Sequence, residues 1–202
     1  MKRSLLLLLI FSLSFSVACK KDQKENKETP TENTNDVEAI QNSKSEKIVS
    51  DKDAKVVVSL DAKSNSNVSG NVVINQQGEI VTLVAVMSGL DEGVHAIHLH
   101  ETADCSSADG KSTGGHWNPT GQPHGKFGDE AGYHKGDIGN FEANEKGYGT
   151  LTFITREWCI GCDDPAKDIL GKAIIVHQGS DDFKTQPTGD AGGRISCGGI
   201  IQ

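Results

Sequence analysis

Three features that direct many chains to familiar protein classes are scarce or absent in this sequence. Helical periodicity is nearly missing, which argues against a helical bundle. No apolar run is long enough to cross a bilayer comfortably, since that takes about 20 residues, and the longest run covers residues 5–15. Positively charged residues are also scarce. Residues 53–202 hold eleven Lys or Arg against twenty Asp or Glu, a net charge of −9. That acidic balance argues against a nucleic-acid partner.

Residues 1–19 have the pattern of a secretory signal peptide. Lys2 and Arg3 form a basic start, the apolar run follows, and small residues precede Cys19. A cysteine directly after Ala18 is similar to the cleavage site of a bacterial lipoprotein, although Ser16 stands where Leu is usual. We predict lipidation of Cys19, which would hold the protein at a membrane surface in the bacterial cell envelope, in the periplasm or at the outer membrane. The alternative is a plain signal peptide cut near Ala18.

Residues 20–52 are predicted to form a disordered polar tether. Lys, Glu, Asp, Asn, Thr, Gln and Ser dominate this stretch, and seven Lys nearly balance eight acidic residues. Such a composition cannot bury enough apolar area to offset the entropy lost on ordering. The folded domain is therefore predicted to be residues 53–202.

That domain carries short alternating or β-branched runs separated by Gly-, Asn- and Asp-rich turns. The pattern predicts an all-β sandwich or barrel. The predicted strands are 55–60, 71–74, 80–86, 94–100, 149–155, 173–177 and 194–201. One short helical turn is predicted at residues 163–170, where acidic residues and Pro165 could open a helix.

Two long stretches interrupt the strands, at residues 101–137 and 178–193. Loops of this length in a compact domain are usually functional or disordered. All seven histidines of the chain lie between positions 95 and 177, most of them in or beside the first stretch. Their distribution favours a functional loop.

Four cysteines remain after Cys19, at positions 105, 159, 162 and 197. An even number in an exported domain suggests two disulfides. Three pairings can be drawn, and the closeness of Cys159 and Cys162 in sequence favours Cys159–Cys162 with Cys105–Cys197.

His98 and His100 stand two apart in a strand-like run, so both imidazoles can face one ion. Taken alone, such a pair is a weak signal and more often incidental. The chain adds further candidate ligands in and after the first loop: His116, His124, His134, Asp137 and His177. Three imidazoles and a carboxylate suit a four-coordinate zinc site, and imidazoles with an open position suit redox-active copper.

The segments around these residues resemble copper/zinc superoxide dismutase. The resemblance rests on residues 94–101 (VHAIHLHE), 115–119 (GHWNP), 134–140 (HKGDIGN), 175–177 (IVH) and 193–198 (GRISCG). It covers essentially the whole domain, in order. It implies a Greek-key β-sandwich or barrel of immunoglobulin-like type with two long functional loops. It also implies disproportionation of superoxide to dioxygen and hydrogen peroxide, with copper as the redox ion and zinc as the structural ion.

The resemblance also assigns roles to single residues. Copper would be bound by His98, His100, His116 and His177, and zinc by His116, His124, His134 and Asp137. His116 would therefore be shared by the two ions and would carry a proton during catalysis. Cys105 and Cys197 match the disulfide of the family.

The resemblance also assigns roles to residues that are not metal ligands. Asp181 resembles the carboxylate that links copper and zinc ligands, with Asp182 as its competitor, and His95 resembles a histidine that packs behind the copper site. Arg194 resembles the arginine that guides the substrate. Lys135 and Lys184 are candidate sources of further positive charge near the mouth of the site.

The segment 157–162 (EWCIGC) is not explained by this resemblance. Thiol–disulfide oxidoreductases use a Cys-x-x-Cys motif in a βαβ setting, which this chain lacks. We therefore favour a small disulfide between Cys159 and Cys162 that clips a loop, with a role in metal handling or copper acceptance and true redox catalysis as the alternatives. The competing function for the whole domain is a non-enzymatic copper- and zinc-binding or copper-handling protein. It is disfavoured because all seven ligand positions and Arg194 are present. The sequence leaves a homodimer open.

Overall fold

Eight strands follow one another in the computed structural model, which describes residues 53–202. The strands are β1 (Ala54–Ala62), β2 (Ser69–Gln77), β3 (Ile80–Ser88), β4 (Gly93–His100), β5 (Gly139–Ala143), β6 (Gly149–Thr155), β7 (Ala173–His177) and β8 (Arg194–Gly199). A single 3₁₀ turn at Lys111–Thr113 is the one helical element of these residues. The predicted signal peptide, Cys19 and the tether lie outside the described residues.

The strands close into an antiparallel barrel in the order β1-β2-β3-β6-β5-β4-β7-β8. Neighbours such as β3 with β6 and β4 with β7 are not consecutive in sequence, so the connections cross over in the Greek-key manner. Pairing of β8 with β1 closes the ring and leaves no open sheet edge. The all-β Greek-key prediction is confirmed.

Alternation of apolar residues explains why these segments form strands with one buried face. In β3, Val81, Leu83, Ala85 and Met87 point into the core, and the residues between them face outward. The same period appears in β1 and β2. Burying each large aliphatic side chain contributes about 1.5–3 kcal/mol relative to leaving it in water.

The helical turn predicted at residues 163–170 forms only in part, since the structure has one hydrogen-bonded turn and no helix there. Asp164 does accept backbone hydrogen bonds from Lys167 and Asp168, but this single turn is not continued. The Asp168 carboxylate instead accepts from the backbone N–H groups of Gly161 and Leu170. An isolated parallel bridge then pairs Asp168 with Cys159.

Both long stretches lack strands, as expected, and each is fastened to the barrel. The first is held to β4 by backbone hydrogen bonds from Leu99 to Gly136 (2.9 Å) and from Trp117 to Leu99 (2.8 Å). A Cβ at Gly136 would lie 2.3 Å from the Leu99 carbonyl oxygen, so only glycine allows this approach. The second is held to β4 by Ala96, which donates to the Gly179 carbonyl (2.8 Å). The two loops therefore cover the outer face of β4.

Two disulfides occur in residues 53–202. Cys105 in the first loop is joined to Cys197 in β8 across 92 residues of sequence, a loop length for which chain entropy predicts about 4–5 kcal/mol of stabilisation. Cys159 is joined to Cys162 directly after β6.

None of the helical structure in this part of the chain has the length and apolar character needed to span a bilayer.

Candidate metal centre

β4 carries two kinds of side chain on its two faces. Ile97 and Leu99 join the barrel core, so His98 and His100 lie on the opposite face, beneath the loops. Both histidines are 0% exposed. The site therefore sits outside the barrel, between β4 and the loops that cover it.

Four imidazoles converge in the first cluster. Their ligand atoms all lie within 4.8 Å of one another, and the residues are His98, His100, His116 and His177. The ring centroids of His98 and His116 are 4.1 Å apart, and those of His100 and His177 are 5.6 Å apart. β4 supplies two of these residues, the first loop one and the end of β7 the fourth.

A second cluster shares one of these histidines. Its ligand atoms also lie within 4.8 Å of one another, and the residues are His116, His124, His134 and Asp137. The Asp137 carboxylate lies 2.8 Å from Nδ1 of His116, 3.0 Å from Nδ1 of His124 and 3.2 Å from Nδ1 of His134. His116 thus faces the second cluster with Nδ1, which leaves Nε2 toward the first.

Within residues 53–202, the buried nitrogens His98 Nδ1, His100 Nε2, His116 Nε2 and both nitrogens of His177 have no hydrogen-bond partner, and His124 Nδ1 and His134 Nδ1 lie against the Asp137 carboxylate. Leaving a buried polar atom unsatisfied costs about 1–3 kcal/mol. Each neutral ring has one lone pair, and the lone pairs that converge here are suited to holding a cation. Imidazoles with one carboxylate suit zinc, and imidazoles alone suit copper, so the residues fit both ions.

Hydrogen bonds on the far side of three rings decide which nitrogen is free. Nε2 of His98 donates to Asp181 (2.9 Å), Nδ1 of His100 donates to the Gly114 carbonyl (3.0 Å), and Nε2 of His124 donates to Asp181 (2.8 Å). Because a carboxylate or carbonyl oxygen only accepts, each of these nitrogens carries the proton. In the neutral form of each ring, the other nitrogen has the lone pair that can bind a metal.

Asp181 joins the two clusters, since one oxygen contacts His98 and the other contacts His124. The Asn140 side chain fixes it by accepting from the Asp181 N–H (2.8 Å) and donating to its carbonyl (2.9 Å). Asp182, by contrast, is exposed and accepts hydrogen bonds from the next residues of its own loop. Asp181, and not Asp182, therefore contacts histidines of both clusters.

Gly189 and Gln186 also serve this site, although no signal in a single sequence marks them. A Cβ at Gly189 would lie 1.8 Å from an Asp181 oxygen, so the carboxylate can approach only a glycine. The Gln186 side chain accepts from the His124 N–H and donates to its carbonyl, both at 2.8 Å. Gly189 leaves space for the Asp181 carboxylate, and Gln186 holds the backbone of His124. Both roles depend on the path of the loops, which the sequence alone does not reveal.

Burial, together with neighbouring imidazoles, holds the pKa of His100 and His177 well below the ordinary value. Burial also lowers the pKa of His116 to about 4, although Asp137 opposes that shift. Burial alone would raise the pKa of Asp137, but hydrogen bonds from three histidines hold it well below its usual range. At neutral pH these groups are neutral imidazoles and a carboxylate, the protonation states that bind metal ions.

His124 differs from the other ligands in its protonation. Burial acts to lower its pKa, but the hydrogen bonds and charges of Asp137 and Asp181 outweigh burial and raise the pKa to about 9. A cation that binds at Nδ1 must displace a proton. Metal binding in the second cluster is therefore coupled to proton release.

A cavity of about 330 Å³ opens beside the first cluster, and His177 and Arg194 are among the residues that line it. Nη1 of Arg194 donates to the Gly110 carbonyl and to the Thr113 hydroxyl, both at 2.9 Å. Lys111 lines the same cavity, whereas Lys135 and Lys184 do not. Lys135 instead forms an ion pair with Glu157, so the expectation for these two lysines is not met.

His95 lies outside both clusters. Its ring is buried, with Nδ1 3.0 Å from the His177 carbonyl and Nε2 2.9 Å from the Asp91 carbonyl. It supports the backbone of His177. Within residues 53–202, neither group with metal-ligand spacing includes a cysteine.

A comparison with protein-family models agrees with this geometry. Residues 68–200 match the family described as copper/zinc superoxide dismutase (SODC). The match spans about two thirds of the chain and includes both clusters, Arg194 and both disulfides.

Proposed function

The chain belongs to the copper/zinc superoxide dismutase family, and from that premise we propose which residues carry out its reaction. The protein is an enzyme that converts two superoxide ions and two protons into dioxygen and hydrogen peroxide, with copper and zinc as its ions. The observation that supports our assignment most directly is the pair of buried clusters that share His116.

His98, His100, His116 and His177 are assigned to copper, and His116, His124, His134 and Asp137 to zinc. The first set contains only imidazoles and borders the cavity that Arg194 lines, as a site that exchanges substrate requires. The second set contains a carboxylate and fills four positions, as a closed structural site requires. When bound, copper supplies the one-electron redox chemistry and zinc a fixed positive charge.

His116 is assigned a second role, as a carrier of protons. Its Nδ1 faces Asp137 and its Nε2 faces the other histidines of the first cluster. We assign to Nε2 the uptake of one proton and its delivery to the peroxide product.

Arg194 is assigned the attraction and orientation of superoxide. Its guanidinium carries a permanent charge and five N–H donors, of which Nη1 is turned toward the first loop. Within residues 53–202, Nη2 and Nε make no hydrogen bond to protein, so they can face the anion. The net charge of −9 over the domain does not oppose this, because steering depends on the potential near the mouth.

Two disulfides indicate an extracytoplasmic protein. We propose further that Cys19 carries a lipid anchor in a bacterial cell envelope and that residues 20–52 form the tether. Acyl labelling and membrane fractionation of a Cys19→Ala variant distinguish this from a plain signal peptide, which predicts a soluble parent protein. A homodimer stays open and is tested by the mass of the protein in solution.

The assignment is tested by metal analysis and a dismutase assay on residues 20–202 with the disulfides oxidised. One copper and one zinc per chain, with activity that depends on copper, is the expected result. A chain that binds both ions without dismutase activity would contradict the roles given to Arg194 and His116.

A further inference from the structure

The segment Glu157–Cys162 has no role in the reaction described above. It follows β6 and lies against residues 133–137, the part of the first loop that carries His134 and Asp137. We propose that Glu157 and Trp158 are positioning residues that hold the chain on both sides of His134 and thereby retain zinc. This inference rests on the proposed assignment of His134 and Asp137 to zinc.

Three hydrogen bonds from this segment bracket His134. Glu157 accepts from the hydroxyl of Tyr133 and from the ammonium of Lys135, the two neighbours of His134 in sequence. The indole Nε1 of Trp158 donates to the carbonyl of Lys135 at 2.9 Å. A shift of the backbone at His134 would therefore strain or break these contacts.

The same loop segment has a second set of contacts, to β4 and to another part of the first loop. Gly136 donates to the Trp117 carbonyl at 2.9 Å and accepts from the Leu99 N–H at 2.9 Å. Residues 133–137 are thus attached at Gly136 to Leu99 and Trp117, and at Tyr133 and Lys135 to Glu157 and Trp158. The contacts of Glu157 and Trp158 therefore add a second attachment to the one at Gly136.

Aromatic packing supports the contacts that Glu157 and Trp158 make with residues 133–135. Trp158 is 2% exposed, and its ring centroid is 4.9 Å from that of Phe153 in β6. Phe127 of the first loop packs on Phe153 at 4.9 Å and on Tyr133 at 4.7 Å. Aromatic pairs at these separations contribute about 0.5–1.5 kcal/mol beyond their buried area, so this cluster keeps Tyr133 beside Glu157.

The Cys159–Cys162 disulfide braces the segment that carries Trp158. The N–H of Cys159 donates to the Lys167 carbonyl (2.9 Å), and its carbonyl accepts from Ile169 (3.0 Å). The N–H of Ile160 donates to the Gln76 side chain in β2 (2.7 Å). Trp158 therefore contacts the loop from a base that is fixed to the barrel.

The ion pair alone would be a weak clamp, because the Lys135 and Glu157 side chains are 19% and 31% exposed and water screens them. Its effect comes from geometry, since one carboxylate binds both neighbours of a metal ligand. Partners of metal ligands that fix their orientation typically account for about 10–100-fold in metal affinity. Glu157 acts one residue further away, so we expect an effect of about 3–10-fold.

The experiment measures the rate at which the full-length, metal-loaded protein loses zinc to an excess of chelator. Glu157→Gln and Trp158→Phe, which removes the indole N–H but keeps an aromatic ring, should each lose zinc about 3–10-fold faster than the parent. Glu142→Gln is the matched control, because it removes an equal charge from an exposed position on β5. Its zinc loss should match that of the parent.

Cobalt(II) in place of zinc gives a readout that stability alone would not change, because its visible absorption reports the arrangement of its ligands. We expect altered cobalt bands in Glu157→Gln and not in Glu142→Gln. Tyr133→Phe removes one of the bracketing hydrogen bonds without a core substitution, so it replaces Trp158→Phe if that variant fails to fold. Combined with Glu157→Gln, it should add less than its separate effect, since both variants break the same contact.

Zinc loss within twofold of the parent, with unchanged cobalt bands, in both Glu157→Gln and Tyr133→Phe would overturn this inference alone. A parent protein that takes up no zinc would overturn the assignment of the zinc ligands and the inference with it.

Discussion

The two sides of the barrel differ in what they bury. On the side formed by β1, β2, β3 and β6, the inner face is apolar and the outer face meets water, where Val57 is 59% and Ile154 62% exposed. On the side of β4 and β7, the long loops cover the outer face, and every residue of β7 is buried. Beneath those loops lie a small apolar cluster of Ala173, Ile175 and Cys197 and a larger polar group with His98, His116 and Asp137 at its centre.

The two kinds of burial have different requirements. An apolar core is stabilised by removal from water, and residues of about the right size suffice. A buried polar cluster is unfavourable unless each group has a partner, and here metal ions would be the partners of the six histidines that the two clusters contain. The barrel should therefore hold its structure without metals, while the side under the loops depends on them.

The largest expected effect comes from the apolar side. Leu83→Ala removes a fully buried side chain of β3 and should lower the free energy of unfolding by about 2–5 kcal/mol. Denaturant unfolding of the metal-free protein measures this change. Zinc and copper affinities, measured where the variant is still folded, should not change. Ile154→Thr, on the exposed face of β6, should stay within about 0.5 kcal/mol of the parent. If Leu83→Ala weakened metal binding in the folded protein, the two sides would not be separable.

Asp181→Asn tests the polar side with a change of the same shape. An amide cannot accept a hydrogen bond from both His98 and His124, because one of its two ends is a donor. Zinc affinity should fall by about 10–100-fold, and competition with a chelator measures it. Asp182→Asn is the neighbouring control and should have little effect, since Asp182 is exposed. Equal losses in both variants would contradict the role given to Asp181.

Arg194→Ala should leave both ions bound and slow the reaction. Loss of the cation beside the cavity should lower kcat/KM about tenfold and weaken its dependence on ionic strength. Rates at several salt concentrations, together with metal content, measure this. Lys184→Ala removes a cation that does not line the cavity and serves as the control. Full activity of Arg194→Ala at low ionic strength would show that the arginine does not guide the substrate.

The smallest effect is expected from the double change Cys159→Ser and Cys162→Ser. A disulfide that closes so short a loop contributes about 1–2 kcal/mol by the loop-entropy relation, so thermal stability should fall modestly. Dismutase activity per bound copper should be nearly unchanged, because neither cysteine belongs to a metal cluster. If the variant lacked copper when isolated from cells but regained full activity with copper added in vitro, the pair would belong to metal acquisition.

The barrel could largely be predicted from sequence because its signal is local. Alternating residues in β3, and the continuous apolar run of β7, mark strands with one and two buried faces. β5 was missed because Phe141 and Ala143 are its only apolar residues. The turn at residues 163–170 was misjudged because the Asp168 side chain, not the backbone, decides its course.

The site was only partly accessible to reasoning from spacing. The strand period predicts that His98 and His100 share a face, and the structure places both in the first cluster. The convergence of His116, His124 and His134 depends on the path of a long loop, which contacts distant in sequence determine, such as that of Leu99 with Gly136. For that reason the ligand set came from a family resemblance rather than from spacing.

The central claim, that one imidazole links the two clusters, is tested most directly by copper EPR before and after selective removal of zinc. His116 contributes Nδ1 to one cluster and Nε2 to the other, so loss of zinc should change the basicity and orientation of a copper ligand. We predict a clear change in the copper spectrum, reversed when zinc is restored. A copper spectrum that is the same with and without zinc would contradict the shared histidine.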